Sequence, residues 1–193
     1  MTKLSDIADI ILGYPFKGRI VDQTDAQQQD NTVHVLQIKD ITSGNANQPH
    51  KLTTVSLKQN YNKFLLQHDD LVMPVRGGKY NVEHITQLRS PCIAVSQVFI
   101  IRCREQIKPA FLYWFLNLNA TQYKLKEAQT GTNIPMLNKA ALASLHVTLP
   151  KLDVQEKIAR LQLIWTEQKH TYENLIQNGN QLTQGLCQKL LES

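Results

Sequence analysis

From Val154 onward, apolar positions return every four and then every three residues: Val154, Ile158, Leu161, Trp165, Tyr172, Leu175, Leu182 and Leu186, with Gln168 and Gly179 in the two remaining slots. A repeat averaging about 3.5 predicts one long helix with a narrow apolar seam, as in a left-handed supercoil of helices. At about 1.5 Å per residue this helix reaches on the order of 60 Å. A chain this short offers it no partner of equal length, so the seam is expected to be buried against another chain. A polar residue such as Gln168 can fix the register of such a pairing, and Gly179 weakens the helix by about 1 kcal/mol.

Upstream the pattern changes. Leu4, Ile7, Ala8, Ile10 and Ile11 predict a short helix or strand that ends at Gly13. Residues 22–31, rich in Gln and Asp, predict an exposed loop, and the alternation across 32–38 predicts a strand. A Gly- and amide-bearing loop follows at 42–51. Further strands are expected at 69–75 and at 92–102, the stretch richest in Val and Ile. After Pro109 a helix is expected over 110–128, with Phe111, Trp114, Phe115, Leu118 and Leu125 on one face. A short helix near 137–143 and a strand at 145–149 complete the set. Strands and helices alternate without a βαβ rhythm, which predicts an α+β globular domain over 1–150 with a twisted sheet. Residues 151–193 then form the helical appendage.

Composition narrows the function. The 193 residues contain no run of eighteen apolar positions, so no membrane span is expected, and the start lacks the apolar core of a signal peptide. Cys92, Cys103 and Cys187 are odd in number and form no C-x-x-C pair, which argues against a disulfide framework or zinc site and fits a reducing cytoplasm. Net charge is +5, and residues 51–139 hold twelve Lys or Arg against five Asp or Glu. A basic surface in that middle region points to nucleic acid. A protein-binding adaptor in which the basic middle is incidental is the alternative.

Catalytic patterns are missing. Gly77-Gly78-Lys79 lacks both the spacing and the Ser/Thr of a phosphate loop. The six histidines never fall three or four apart, so no helical metal pair exists. Asp153 with Glu167 and Lys169 imitates a nuclease pattern, but all three lie on the predicted helix. There is no Pro-Pro motif of an amino-methyltransferase and no G-x-S-x-G elbow. The chain is expected to be non-catalytic, with no metal and no cofactor of its own.

Three loops could bind. Lys17 and Arg19 flank Gly18, near Tyr14 and Phe16. Arg76 and Lys79 bracket Gly77-Gly78 and precede Tyr80 and Asn81. Thr130, Thr132 and Asn133 surround Gly131. Glycine lets backbone approach phosphate, and Arg and Asn match guanine and adenine edges. Simple turns with solvated charges are the plain alternative. Tyr113, Trp114 and Phe115 lie on an apolar helix face and are expected in the core rather than on a base-stacking platform.

Several ordered segments resemble the target recognition domain of type I restriction–modification specificity subunits. They are Leu4-Ser5-Asp6-Ile7-Ala8, Gly13-Tyr14-Pro15-Phe16, Leu36-Gln37-Ile38-Lys39-Asp40-Ile41, Asp69-Asp70-Leu71-Val72, Arg76-Gly77-Gly78, Gly131-Thr132-Asn133-Ile134-Pro135 and Gln155-Glu156-Lys157-Ile158-Ala159. Members of that family usually carry two recognition domains, each followed by a helix, with the helices paired antiparallel. With one domain and one helix, this chain is similar to a half-sized subunit. The resemblance implies two copies on double-stranded DNA, each reading half of a bipartite site. It also implies a separate adenine methyltransferase subunit, which binds S-adenosylmethionine, and leaves room for a restriction subunit. A homodimer would read inverted half-sites, whereas pairing with a different half subunit would lift that constraint.

Overall fold

The computed structural model describes residues 1–18, 20, 32–57, 61–88, 90–131 and 135–192. The expected polar loop at 22–31 lies outside the described residues. The first amphipathic stretch resolves into strand β1 (Thr2–Lys3), helix α1 (Leu4–Ile7) and strand β2 (Ala8–Leu12). After β3 (Thr32–Leu36) and α2 (Ile38–Thr42) come strands β4 (Thr53–Ser56), β5 (Leu71–Pro74), β6 (Glu83–His84), β7 (Cys92–Ala94) and β8 (Val98–Cys103). Helices α3 (Pro109–Asn117), α4 (Asn119–Glu127) and α5 (Lys139–Ala143), strand β9 (His146–Val147) and helix α6 (Leu152–Leu191) complete the chain. The α1 and α2 starts are alike: Asp6 and Asp40, each three residues in, accept the backbone N–H of Lys3 and Gln37 and so satisfy a donor the helix leaves open.

A four-stranded antiparallel sheet, β2-β8-β5-β6, forms the middle layer. Successive strand side chains point to opposite faces, and here both faces are covered. Ile10, Leu71, Met73, Phe99 and Ile101 face a core shared with α1, α3, α4 and α5. Val72, Val98 and Ile100 face a second core shared with the small sheet β4-β3-β7 and α2. Double burial explains why β5 and β8 read as unbroken apolar runs.

Two expected elements divide. The apolar stretch 92–102 is two strands in different sheets, because Ser96-Gln97 turns the chain and the Val98 N–H donates to the Val95 carbonyl. β7 then runs parallel to β3, while β8 pairs with β2 and β5. The helix expected over 110–128 breaks at Leu118, whose backbone is extended (ψ 138°). Asparagines flank the break, and residues of this kind favour local hydrogen bonds over helix interiors. The expected face is nonetheless the packed one: Phe111, Leu112, Leu116 and Leu125 are buried, and Trp114 and Phe115 rest on the same core. Strands β4 and β6 and the 3-10 turn Pro49–Lys51 were not foreseen.

The long helix is a single element of 40 residues. Its base packs against α3 of the globular part. Gln155 is fully buried there: its Oε1 accepts the Lys108 N–H at 2.8 Å, and its Nε2 donates to the carbonyls of Pro150 (2.8 Å) and Gln106 (3.2 Å). One amide thus ties the loop before α3 to the start of α6. Replacing Gln155 by Ala removes all three bonds of this buried amide and should cost about 1–3 kcal/mol, read as a lower thermal midpoint. A midpoint unchanged from wild type would show the tether to be dispensable.

Candidate nucleic-acid interface

The glycine-bearing loops stem from strands that the two sheets bring to one edge. At Gly13 the chain passes so close to β7 that a Cβ would collide with the carbonyl oxygens of Ala94 and Val95, and glycine alone allows that approach. Next to it Tyr14 donates its N–H to Ala94 and accepts from Ser96. Val75, at the end of β5, donates to the Gln97 carbonyl (2.8 Å) and accepts from Leu137 (2.8 Å). Arg76 forms a bridge with Met136, which in turn pairs with Thr130 through two 2.9 Å bonds. The loops at 14–18 and 76–79 and the Thr130–Met136 bridge, distant in sequence, therefore adjoin.

Between the first two loops opens a cleft of about 1060 Å³ lined by Tyr14, Phe16, Gly18, Arg76, Gly77 and Gln97, among others. Tyr14 and Phe16 meet edge to face at 4.9 Å, and Tyr14 meets Phe64 in the same way at 5.3 Å, which stiffens that wall. The cleft also includes Gln37, Lys39 and Thr53, none of them expected from sequence, because the ends of β3 and β4 reach it only through the sheet topology. Gly77 adopts φ +115°, the left-handed region that favours glycine.

The residues proposed from sequence do not all sit alike. Arg76 lines the cleft. Lys17 lies between the lining residues Phe16 and Gly18, and Lys79 lies two residues beyond Gly77; both are exposed. Asn81 and Thr130 are exposed but do not line the cleft. Tyr80 is a correction: it is 0% exposed and belongs to the core. Its backbone is gripped by Gln122, whose amide accepts from Tyr80 N (3.2 Å) and donates to Tyr80 O (2.9 Å), which turns the ring inward, away from any ligand. Arg19, Thr132 and Asn133 lie outside the described residues.

At the other end of β5 from Arg76, Asp70 is 1% exposed and takes two bonds from Arg102, at 2.8 and 2.7 Å, plus the Gln67 N–H at 2.7 Å. The pairing with Asp70 raises the guanidinium pKa of Arg102. Burial pushes the thiols of Cys92 and Cys103 up to about 12, with nearby Asp69 and Asp70 adding to the effect at Cys103. Burial thus favours the neutral thiol at both positions. Among the described residues, no group of three His, Cys, Asp or Glu is placed to hold a metal ion, and no helix is long and apolar enough to cross a membrane.

The seam of α6 is uncovered. Beyond Gln162 every described residue of the helix is exposed. Leu161, Trp165, Tyr172, Leu175, Leu182 and Leu186 remain 54–68% exposed, and Ile164 and Ile176 widen the stripe. Val154 is 38% exposed. Ile158 departs from expectation in packing partly against its own domain's core, because it lies one turn from Gln155 on the face turned to α3.

A family model described as the type I restriction modification DNA specificity domain matches residues 1–179. No curated protein sequence matches the chain. Among solved structures, the chain is similar to one from work on complex assembly and conformational transition of the type I R-M system (TM-score 0.61, 16% identity, 86% of this chain and 37% of that one). It is similar to the HsdS subunit from Thermoanaerobacter tengcongensis (0.60, 16%, 86% and 36%). It also resembles the type I restriction-modification S subunit from M. genitalium (0.55, 12%, 86% and 38%). The chain thus spans well under half the length of the solved chains it matches.

Proposed function

Since the chain belongs to the type I restriction modification DNA specificity domain family, we propose that it is a DNA sequence-specificity subunit that reads one half of a bipartite site. The observation that supports this reading is the convergence of two glycine-bearing loops, 14–18 and 76–79, on one cleft, with Arg76 lining it and Lys17 and Lys79 exposed beside it. Exposed lysines suit phosphates, whereas a recessed planar guanidinium suits a base edge. The chain acts by recognition rather than chemistry. A separate adenine methyltransferase subunit supplies S-adenosylmethionine and extracts the target base from the duplex, and a restriction subunit can join where cleavage is required. An assembly that acts on chromosomal DNA would operate in the cytoplasm.

The second half-site requires a second recognition domain. The uncovered apolar stripe of α6 supports pairing with a second copy of this chain, whose helix runs the opposite way. The paired helices would act as a spacer that sets the distance between the two domains and thus the length of the unread DNA. Two identical copies related by a two-fold axis dictate inverted half-sites.

Selection from randomised duplexes tests the reading: the complex should enrich a split sequence, with affinity falling steeply as salt rises. Binding indifferent to both sequence and salt would instead favour a protein-binding adaptor. Replacing Arg76 by Ala should weaken binding of the preferred duplex by about five- to hundredfold, as measured by titration. Unchanged affinity would remove the 76–79 loop from the interface.

A further inference from the structure

Arg76 does not stand alone in the cleft. Its Nη2 donates to Oε1 of Gln97 at 2.8 Å, and both side chains line the cleft. Gln97 sits at the tip of the turn between β7 and β8, where its carbonyl accepts from Val75 and its neighbour Ser96 donates to Tyr14. The backbones that carry the two side chains are therefore joined directly, and the pair projects from a fixed platform. Tyr14 and Phe16 line the same cleft.

The chemistry of this contact has one direction. A guanidinium only donates, so Gln97 must turn its carbonyl to Arg76, and its amide NH₂ then faces away. One of the two lone pairs on that oxygen is taken by Arg76, so the pair offers mainly donors: the remaining guanidinium N–H groups and the Gln97 amide hydrogens. A pair dominated by donors complements two neighbouring acceptors. In the major groove guanine alone shows that pattern, O6 beside N7, whereas adenine presents an acceptor beside a donor and cytosine presents a donor. Phosphate oxygens are also acceptors, but exposed Lys17 and Lys79 already suit that role, and Arg76 is half-buried and bonded to a neutral amide.

Resting on the reading of this chain as a DNA-specificity subunit, we propose that Arg76 and Gln97 form one base-reading unit that selects a guanine, with Gln97 as a specificity-determining residue. The side chain of Gln97 is exposed, so its substitution leaves the fold intact, and an unchanged thermal midpoint checks this.

The test uses the full chain co-purified with its methyltransferase subunit and duplexes randomised across the half-site. Wild type should require guanine at one position. Gln97→Ala should reduce discrimination at that position alone by about ten- to hundredfold. Gln97→Glu, which turns acceptors towards the DNA and ties up Arg76 as an ion pair, should abolish the guanine preference there. Variants that select the wild-type sequence with undiminished discrimination would overturn the pairing role. A uniform loss across all sequences, with the salt slope reduced by about one, would assign the pair to a phosphate and likewise overturn it. A wild-type complex that selects no sequence at all would instead remove the specificity-subunit reading itself.

Discussion

Light scattering of the Leu161→Glu, Leu175→Glu double variant should return half the mass of the wild-type assembly. Both leucines stand more than 60% exposed on the isolated chain, so neither supports the fold of the protomer. In a pairing along the seam each becomes buried, and full burial of a leucine contributes about 1.5–3 kcal/mol. A two-fold axis doubles every change, so the variant would lose four buried leucines and force four carboxylates into an apolar interface without partners. Burying unpaired charges carries a further penalty of several kcal/mol each. Circular dichroism of the globular part should be unchanged. A double variant that keeps the full mass would show that the copies meet through some other surface.

The Arg102→Ala variant should lose about 3–5 kcal/mol of stability, because the Asp70 carboxylate would be left buried without its counter-charge. Asp70 sits at the start of β5, in the central sheet, and the two bonds from Arg102 on neighbouring β8 satisfy both of its oxygens. For a chain of this length the thermal midpoint should fall by about 6–20 °C. Replacing both partners by apolar residues of similar volume should recover most of the loss, since the cost lies in the orphaned charge rather than in the missing attraction. A midpoint within a degree of wild type for the single variant would mean that the pair does not anchor the sheet.

How legible each part was depends on how local its cause is. The α6 seam repeats over many turns, so its spacing alone reveals both the helix and its unpaired face. The strand β3 and the apolar stretch of β5 carry their signal within a few residues. The break at Ser96-Gln97 was not legible, because two polar residues inside an apolar run look like one strand with solvent-facing positions. Only the pairing of β7 with β3 shows that the chain changes sheet there. Tyr80 was misjudged for a related reason: Gly77-Gly78-Lys79-Tyr80 reads as a binding loop, and the grip of Gln122 that turns the ring inward comes from 42 residues away. Gln155 stands out in the sequence only as part of a segment that resembles the specificity-subunit family, whereas its role in joining two segments depends on a loop 47 residues upstream. Arg76 could be picked out as a basic residue beside glycines, whereas Gln97 becomes its partner only through the sheet that sets the two turns side by side.

The central claim, that this chain reads DNA as one half of a paired specificity subunit, is tested most directly by co-expressing it with its methyltransferase subunit and mapping methylated adenines across the host genome. The account predicts methylation within a split motif whose two halves are inverted copies separated by a fixed number of unread bases. Methylation with no dependence on this chain, or within a single unsplit motif, would contradict it.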